Sequence, residues 1–136
     1  MADSTSSTVQ VLCVDDETDS AALTAIRLER IDGRFAVETA TSAREGYEYL
    51  EENDVDCVVS DYKMPEIDGL EFFERVREEH PDLPFVLFTG KGSSSVADDA
   101  QSKGVTGYLE KNTDERYEVL AEQIKNAVGK RQRKGT

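Results

Sequence analysis

Residues 58–72 read VVSDYKMPEIDGLEF. An apolar run passes straight into a carboxylate, Asp61, and then into Pro65 and Gly69, residues that break regular structure. Either Asp61 is a turn residue, or the tip of that strand needs a carboxylate. The flanks define a unit. VDCVVSD (55–61) is a strand, and GLEFFERVREEH (69–80) is a helix with Leu70, Phe73 and Val76 inward.

The same unit recurs along the chain. VQVLCVD (9–15) is a buried-strand run, followed by ETDSAALTAIRLERI, with Leu23, Ile26 and Ile31 among the apolar residues of an amphipathic helix that Gly33 ends. RFAVETA (34–40) is a second strand. SAREGYEYLEEN (42–53) sets Ala43, Tyr47 and Leu50 at helical spacing behind a Ser42 cap, with Glu45 three residues on in a capping-box pattern. Pro81 and Pro84 bracket a turn before the apolar strand FVLFTG (85–90). SSSVADDAQSKG (93–104) is a weak helix with only Val96, Ala97 and Ala100 to bury and Gly104 as its stop. VTGYLEK (105–111) is a fifth strand, and residues 113–130 form a last helix striped by Tyr117, Leu120, Ala121, Ile124, Ala127 and Val128.

Five strands alternating with five helices, most strands too uniformly apolar to face water, imply a parallel sheet with helices on both faces: a doubly wound α/β domain. In 136 residues, 38% of them apolar, one core is expected. Cys13 and Cys57 lie in strand-like runs and read as buried reduced thiols, with no metal-knuckle spacing. The start, MADSTSSTVQ, has neither a basic nor an apolar leader segment, and no run is long enough to span a bilayer, so a cytoplasmic protein with no membrane partner is expected.

Charge narrows the partners. There are 29 acidic residues against 16 basic, a net charge of −13, with four of the basic ones in KRQRK at 130–134. Such a surface repels nucleic acid and anionic membrane, and it suits concentrated salt, where screening removes self-repulsion. An ordinary acidic protein would have the same sign. The basic run lacks interleaved aromatics and reads as a helix end rather than a nucleic-acid site.

In a doubly wound sheet ligands sit beyond the carboxyl ends of the strands. Strand one ends in Asp15 and Asp16, strand three in Asp61, strand four in Thr89 and Gly90, strand five in Lys111. Three converging carboxylates cannot all stay ionised without a cation, and oxygen-only ligands suit Mg²⁺. Taken singly, Asp61 reads as a turn residue, Asp15 and Asp16 as helix starters and Lys111 as a solvated lysine. Their shared place at strand ends outweighs those readings.

VLCVDDE, VVSDYKMPEIDGLEF, VLFTGKG and GYLEK, in that order, resemble the motifs of a response-regulator receiver domain, over about residues 9–128. The resemblance implies a flavodoxin-like (βα)₅ fold with strand order 2-1-3-4-5. It implies Asp61 as phosphoacceptor, Mg²⁺ held directly by Asp16, mainly through water by Asp15, and by Asp61 and the carbonyl of Lys63. It also implies Thr89 and Lys111 on the phosphoryl group, and Tyr108 as an aromatic that changes rotamer when Thr89 moves. The chemistry agrees: phosphoryl transfer to a carboxylate needs the transferring oxygens neutralised, which a metal, a lysine and a hydroxyl supply.

Two features depart from the family pattern. Asn112 stands where a proline usually follows the lysine, and a cis bond there would cost about 2.5–4 kcal/mol. Both variable positions flanking the site, Lys63 and Lys91, are lysines. Other motifs fail: TGKGSS (89–94) lacks the leading glycine and the Ser/Thr of a phosphate loop, and His80, before Pro81, is a helix-boundary residue.

The expected organisation is a tail (1–8), a receiver domain (9–129) and a basic tail (130–136). The expected function is to take a phosphoryl group from a sensor histidine kinase or phosphotransfer protein and to switch a face made by the fourth helix, fifth strand and fifth helix for a downstream protein. It is expected to catalyse only its own phosphorylation and dephosphorylation. The chain is expected to carry no DNA-binding segment and to act through a protein or as a piece of a longer one. The rivals are a Mg²⁺-dependent aspartyl-phosphate phosphatase, whose D-x-D differs from Asp61-Tyr62-Lys63 here, and a non-phosphorylated pseudo-receiver, against which the intact Asp15, Asp16, Asp61, Thr89 and Lys111 set counts.

Overall fold

The computed structural model describes residues 8–90, 94–111 and 115–134, the side chains of 94 and 131–134 excepted. Most of the expected first tail, Lys91 and the Lys111–Asn112 peptide lie outside the described residues. Strand and helix alternate as β1 (Val9–Val14), α1 (Thr18–Ile31), β2 (Phe35–Ala40), α2 (Ala43–Glu52), β3 (Cys57–Ser60), α3 (Gly69–Glu79), β4 (Phe85–Thr89), α4 (Ser94–Lys103), β5 (Gly107–Glu110) and α5 (Arg116–Lys134). The strands pair in parallel in the order β2-β1-β3-β4-β5. This is the doubly wound architecture that the alternation predicts, in the flavodoxin-like strand order that the motif resemblance implies.

The inner strands β3 and β4 are buried at every position, because helices cover both faces. One face packs Leu12, Val14, Val58, Phe85 and Leu87 under α2, α3 and α4. There Phe72 and Phe73 of α3 meet Phe85 edge-on, with ring centroids 5.7 and 5.2 Å apart. The other packs Val11, Cys57, Val59, Val86, Phe88 and Leu109 under Leu28 of α1 and the Tyr117, Leu120, Ala121, Ile124 and Val128 stripe of α5. Cys13 and Cys57 are buried free thiols. Burial first, then Asp15, pushes the Cys13 thiol up to about 12, which leaves it inert.

Local signals explain the helix ends. Ser42 Oγ accepts the Glu45 N–H, while the Glu45 carboxylate reaches back to the Thr41 N–H rather than to Ser42's own. Asp68 caps α3 by accepting the Glu71 N–H. Arg77 closes the other end of α3, its Nη1 donating to the carbonyls of His80, Pro81 and Leu83.

Three expectations need correction. Leu23, Ile26 and Ile31, the apolar residues that mark α1, stand 43%, 49% and 38% exposed. The face that α1 buries is Ala21, Thr24 and Leu28. Small residues let the helix lie close to the sheet, and the Thr24 hydroxyl can be buried because it donates to the Ser20 carbonyl at 3.0 Å. Next, β3 and β5 are shorter than the expected 55–61 and 105–111. Finally, α5 begins at Arg116 and continues through the basic run to Lys134.

Candidate functional site

Sheet order decides which strand ends meet. The chain goes from β1 outward to β2 and then returns to β3 on β1's other side, so the carboxyl ends of β1 and β3 flank the switch point. Each residue just past a strand is anchored by its backbone to a neighbouring strand. Asp15 N–H donates to Ala40, Asp61 N–H to Val14 and Lys111 N–H to Thr89, at 3.0, 2.9 and 2.9 Å. The side chains therefore leave a rigid edge, which limits how far they must be ordered by a ligand.

Asp15, Asp16 and Asp61 each bring a carboxylate oxygen within 4.8 Å of the others. Asp15 is buried, Asp61 half-buried and Asp16 exposed, so the group opens to solvent on one side only. The set is all oxygen and triply anionic, and it fits a hard divalent ion such as Mg²⁺. Among the described residues Lys111 supplies a cation beside it. Its Nζ lies 2.7 Å from Asp15 Oδ2, 2.8 Å from Ser20 Oγ and 3.9 Å from Asp61 Oδ2, with the Phe88 ring centroid 5.5 Å away. Burial opposes the Lys111 charge, but Asp15 and Asp61 outweigh it and hold the ammonium above its usual range.

Asp61 Oδ1 accepts the Tyr62 N–H at 2.7 Å. Burial raises the Asp61 carboxyl above the ordinary carboxylate range, and a hydrogen bond from Thr89 and the charge of Lys111 pull it partly back. Thr89 is itself buried at the end of β4. A cleft of about 410 Å³ is lined by Asp16, Ser20, Asp61, Lys63, Thr89 and Lys111, among others. Of the expected site residues, Asp16, Asp61, Lys63, Thr89 and Lys111 line it, while Asp15 is buried behind them. Tyr108 does not line it. It pairs in register with Leu87 on β5 and packs, half-buried, against the core under α4.

The loop after Asp61 explains the two breakers. Gly69 N–H donates to Tyr62 O at 2.7 Å, folding the loop back over the strand tip. A Cβ on Gly69 would strike the Asp61 carbonyl oxygen. Between them Glu66 takes φ 75°, with Ile67 N–H bonded to Pro65 O at 2.9 Å, a three-residue turn. Ser20, whose Oγ lies 2.8 Å from Lys111 Nζ, lines the cleft and was not named by the sequence reading.

Residues 11–124 match the family described as the response regulator receiver domain. The chain belongs to that family. The transcriptional regulatory protein GlrR of Escherichia coli K12 is 34% identical over 118 residues, covering 87% of this chain and 26% of that protein. The regulator SrrA of Staphylococcus aureus is 32% identical over 111 residues, 82% of this chain and 45% of the relative. The receiver thus spans from a quarter to under half of the length of these curated relatives. Among solved structures, a receiver domain from Clostridium thermocellum aligns with a TM-score of 0.81 at 29% identity, over 91% of this chain and 97% of that one. A CheY-like receiver of Methanospirillum hungatei gives 0.82 at 25%, over 93% and 98%. The response regulator TrrA of Thermotoga maritima, solved with Mg²⁺ and beryllofluoride, gives 0.78 at 26%, over 88% and 99%. As a receiver domain the chain is a signalling component of two-component systems and not a metabolic enzyme. Among the described residues no helix is long and apolar enough to cross a membrane.

Proposed function

We propose that this receiver, residues 9–129, accepts a phosphoryl group on Asp61 from the phosphohistidine of a sensor kinase or phosphotransfer protein and later releases it to water. The observation that carries the reading is the setting of Asp61 at the tip of β3. It lies within 4.8 Å of two other carboxylates, opposite Lys111 and hydrogen-bonded by Thr89. A carboxylate oxygen of Asp61 bonds to phosphorus as the phosphorus–nitrogen bond of the donor breaks, and the electron pair stays on the imidazole. In the reverse phase water attacks phosphorus and the bond to Asp61 breaks, returning the carboxylate and inorganic phosphate.

Asp15, Asp16, Asp61 and the Lys63 carbonyl would hold Mg²⁺, which supplies charge neutralisation of the transferring oxygens. The rest falls to the chain. Lys111 pairs with the phosphoryl oxygens, Thr89 turns its hydroxyl to them, and Tyr108 follows Thr89 inward. That movement alters the α4-β5-α5 face, on which a downstream protein docks. The acidic surface fits a cytoplasm of concentrated salt and offers no site to nucleic acid or membrane.

The test is intact mass after acetyl phosphate and Mg²⁺. Wild type gains one phosphoryl group. Asp61→Asn gains none, because an amide is a poor nucleophile. An Asp61→Asn protein phosphorylated at the wild-type rate would mean that another residue accepts the group, and the reading would fall.

A further inference from the structure

A lysine ammonium has three hydrogens to donate. In Lys111 they face Asp15 Oδ2 at 2.7 Å, Ser20 Oγ at 2.8 Å and, beyond hydrogen-bond reach, Asp61 Oδ2 at 3.9 Å. The other Asp15 oxygen, Oδ1, accepts the Glu17 N–H at 3.0 Å. Both oxygens of Asp15 are therefore engaged, and a cation that draws on Asp15 competes with Lys111. Ser20 decides how firmly Lys111 holds its place. It lies in the first turn of α1, and its carbonyl is pinned by the hydroxyl of Thr24, which is 1% exposed.

We propose that Ser20 is a positioning residue that parks the Lys111 ammonium on Asp15, away from Asp61, and thereby sets the affinity of the carboxylate site for a divalent cation. The inference rests on the reading of this site as a Mg²⁺ site. The hydroxyl stabilises only the parked ammonium. Without it the ammonium keeps one hydrogen-bond partner instead of two, and an entering cation displaces it from Asp15 more readily. The serine thus acts as a brake on cation entry, built from a residue that touches neither the cation nor the phosphoryl group.

Isothermal titration with MgCl₂ tests this on the full chain. Ser20→Ala should bind Mg²⁺ roughly three- to tenfold more tightly, the scale of one ordinary net hydrogen bond. Ser20→Thr, which keeps the hydroxyl, should return to the wild-type affinity. The decisive pair is Lys111→Ala with and without Ser20→Ala: with the ammonium gone, the serine should no longer matter. An unchanged affinity in Ser20→Ala, or the same gain in the Lys111→Ala background, overturns the proposal. If neither wild type nor Lys111→Ala binds Mg²⁺, the metal reading itself fails and takes this inference with it.

Discussion

Gly69→Ala probes the packing that shapes the mouth of the site. A Cβ at this position meets the Asp61 carbonyl oxygen, Leu87 Cδ2 at 2.8 Å and Tyr62 Cα at 3.0 Å. Two of the three neighbours are backbone, so no side-chain rotation relieves the contact. Overpacking of this kind costs about 1–3 kcal/mol. Moving the loop also weakens the Gly69–Tyr62 hydrogen bond, worth about 1 kcal/mol. Against this, alanine stiffens the unfolded chain and returns about 0.4–1 kcal/mol. The net loss is about 1–3 kcal/mol, a sizeable share of the roughly 5–15 kcal/mol that holds a domain folded. Gly90→Ala is the control, because a Cβ there meets nothing within 4 Å among the described residues, and its effect should stay within about 0.5 kcal/mol. Urea unfolding measures both, and acetyl phosphate labelling reports the site, where Gly69→Ala should react more slowly because the displaced carbonyl belongs to Asp61. If Gly69→Ala unfolds at the same urea concentration as Gly90→Ala and labels at the wild-type rate, the steric account is wrong.

Burial raises the Asp61 carboxyl, so the ionised form costs folding free energy; the stability tied to the protonated form is present at low pH and lost as pH rises through the folded-state value. In metal-free buffer at pH 7, with Asp15 and Lys111 facing it, Asp61→Asn should melt above wild type, and the gap should close below about pH 4. Thermal scans at both pH values check this, and a wild type that melts higher at pH 7 would contradict it. Arg77→Ala removes three carbonyl contacts and a guanidinium stacked 4.7 Å from the Phe73 centroid; a loss of about 2–4 kcal/mol in urea unfolding is expected, only partly recovered by lysine. Lys63 is exposed at the cleft mouth, and Lys63→Ala should change the decay rate of the phosphorylated form while leaving labelling intact; an identical decay rate removes Lys63 from that role. With a net charge of −13, the melting point should rise from dilute buffer to molar KCl, and equal midpoints would refute the high-salt reading.

What was legible in the chain was whatever depends on period and order. The strands read clearly because β3 and β4 are buried on both faces, which forces continuous apolar runs, and the ends of those runs carry the charged residues that the sheet then gathers. Less legible was what depends on depth. In α1 the large residues Leu23 and Ile26 advertise a core face, yet the close approach of helix and sheet selects Ala21 and Thr24, and a buried threonine is credible only once its bond to Ser20 is seen. Ser20 itself was invisible for a different reason: its partner Lys111 lies 91 residues away, and nothing local in the first turn of a helix distinguishes a lysine-binding serine from a solvated one.

The loop from Asp61 to Gly69 shows where local rules yield. Backbone with positive φ favours glycine, yet among the described non-glycine residues the one with positive φ is Glu66 at 75°, while the nearby glycine, Gly69, carries no such φ. The two positions answer different constraints. At Gly69 the obstacle is an atom, the Asp61 carbonyl, and no residue with a Cβ fits without moving it. At Glu66 the obstacle is a torsion, costing on the order of 1–3 kcal/mol, which the Ile67–Pro65 bond and the pinned ends of the loop can sustain. A glycine is therefore strongly favoured where the chain crosses the phosphoacceptor's own backbone, and the strained turn can be given to a glutamate that faces outward.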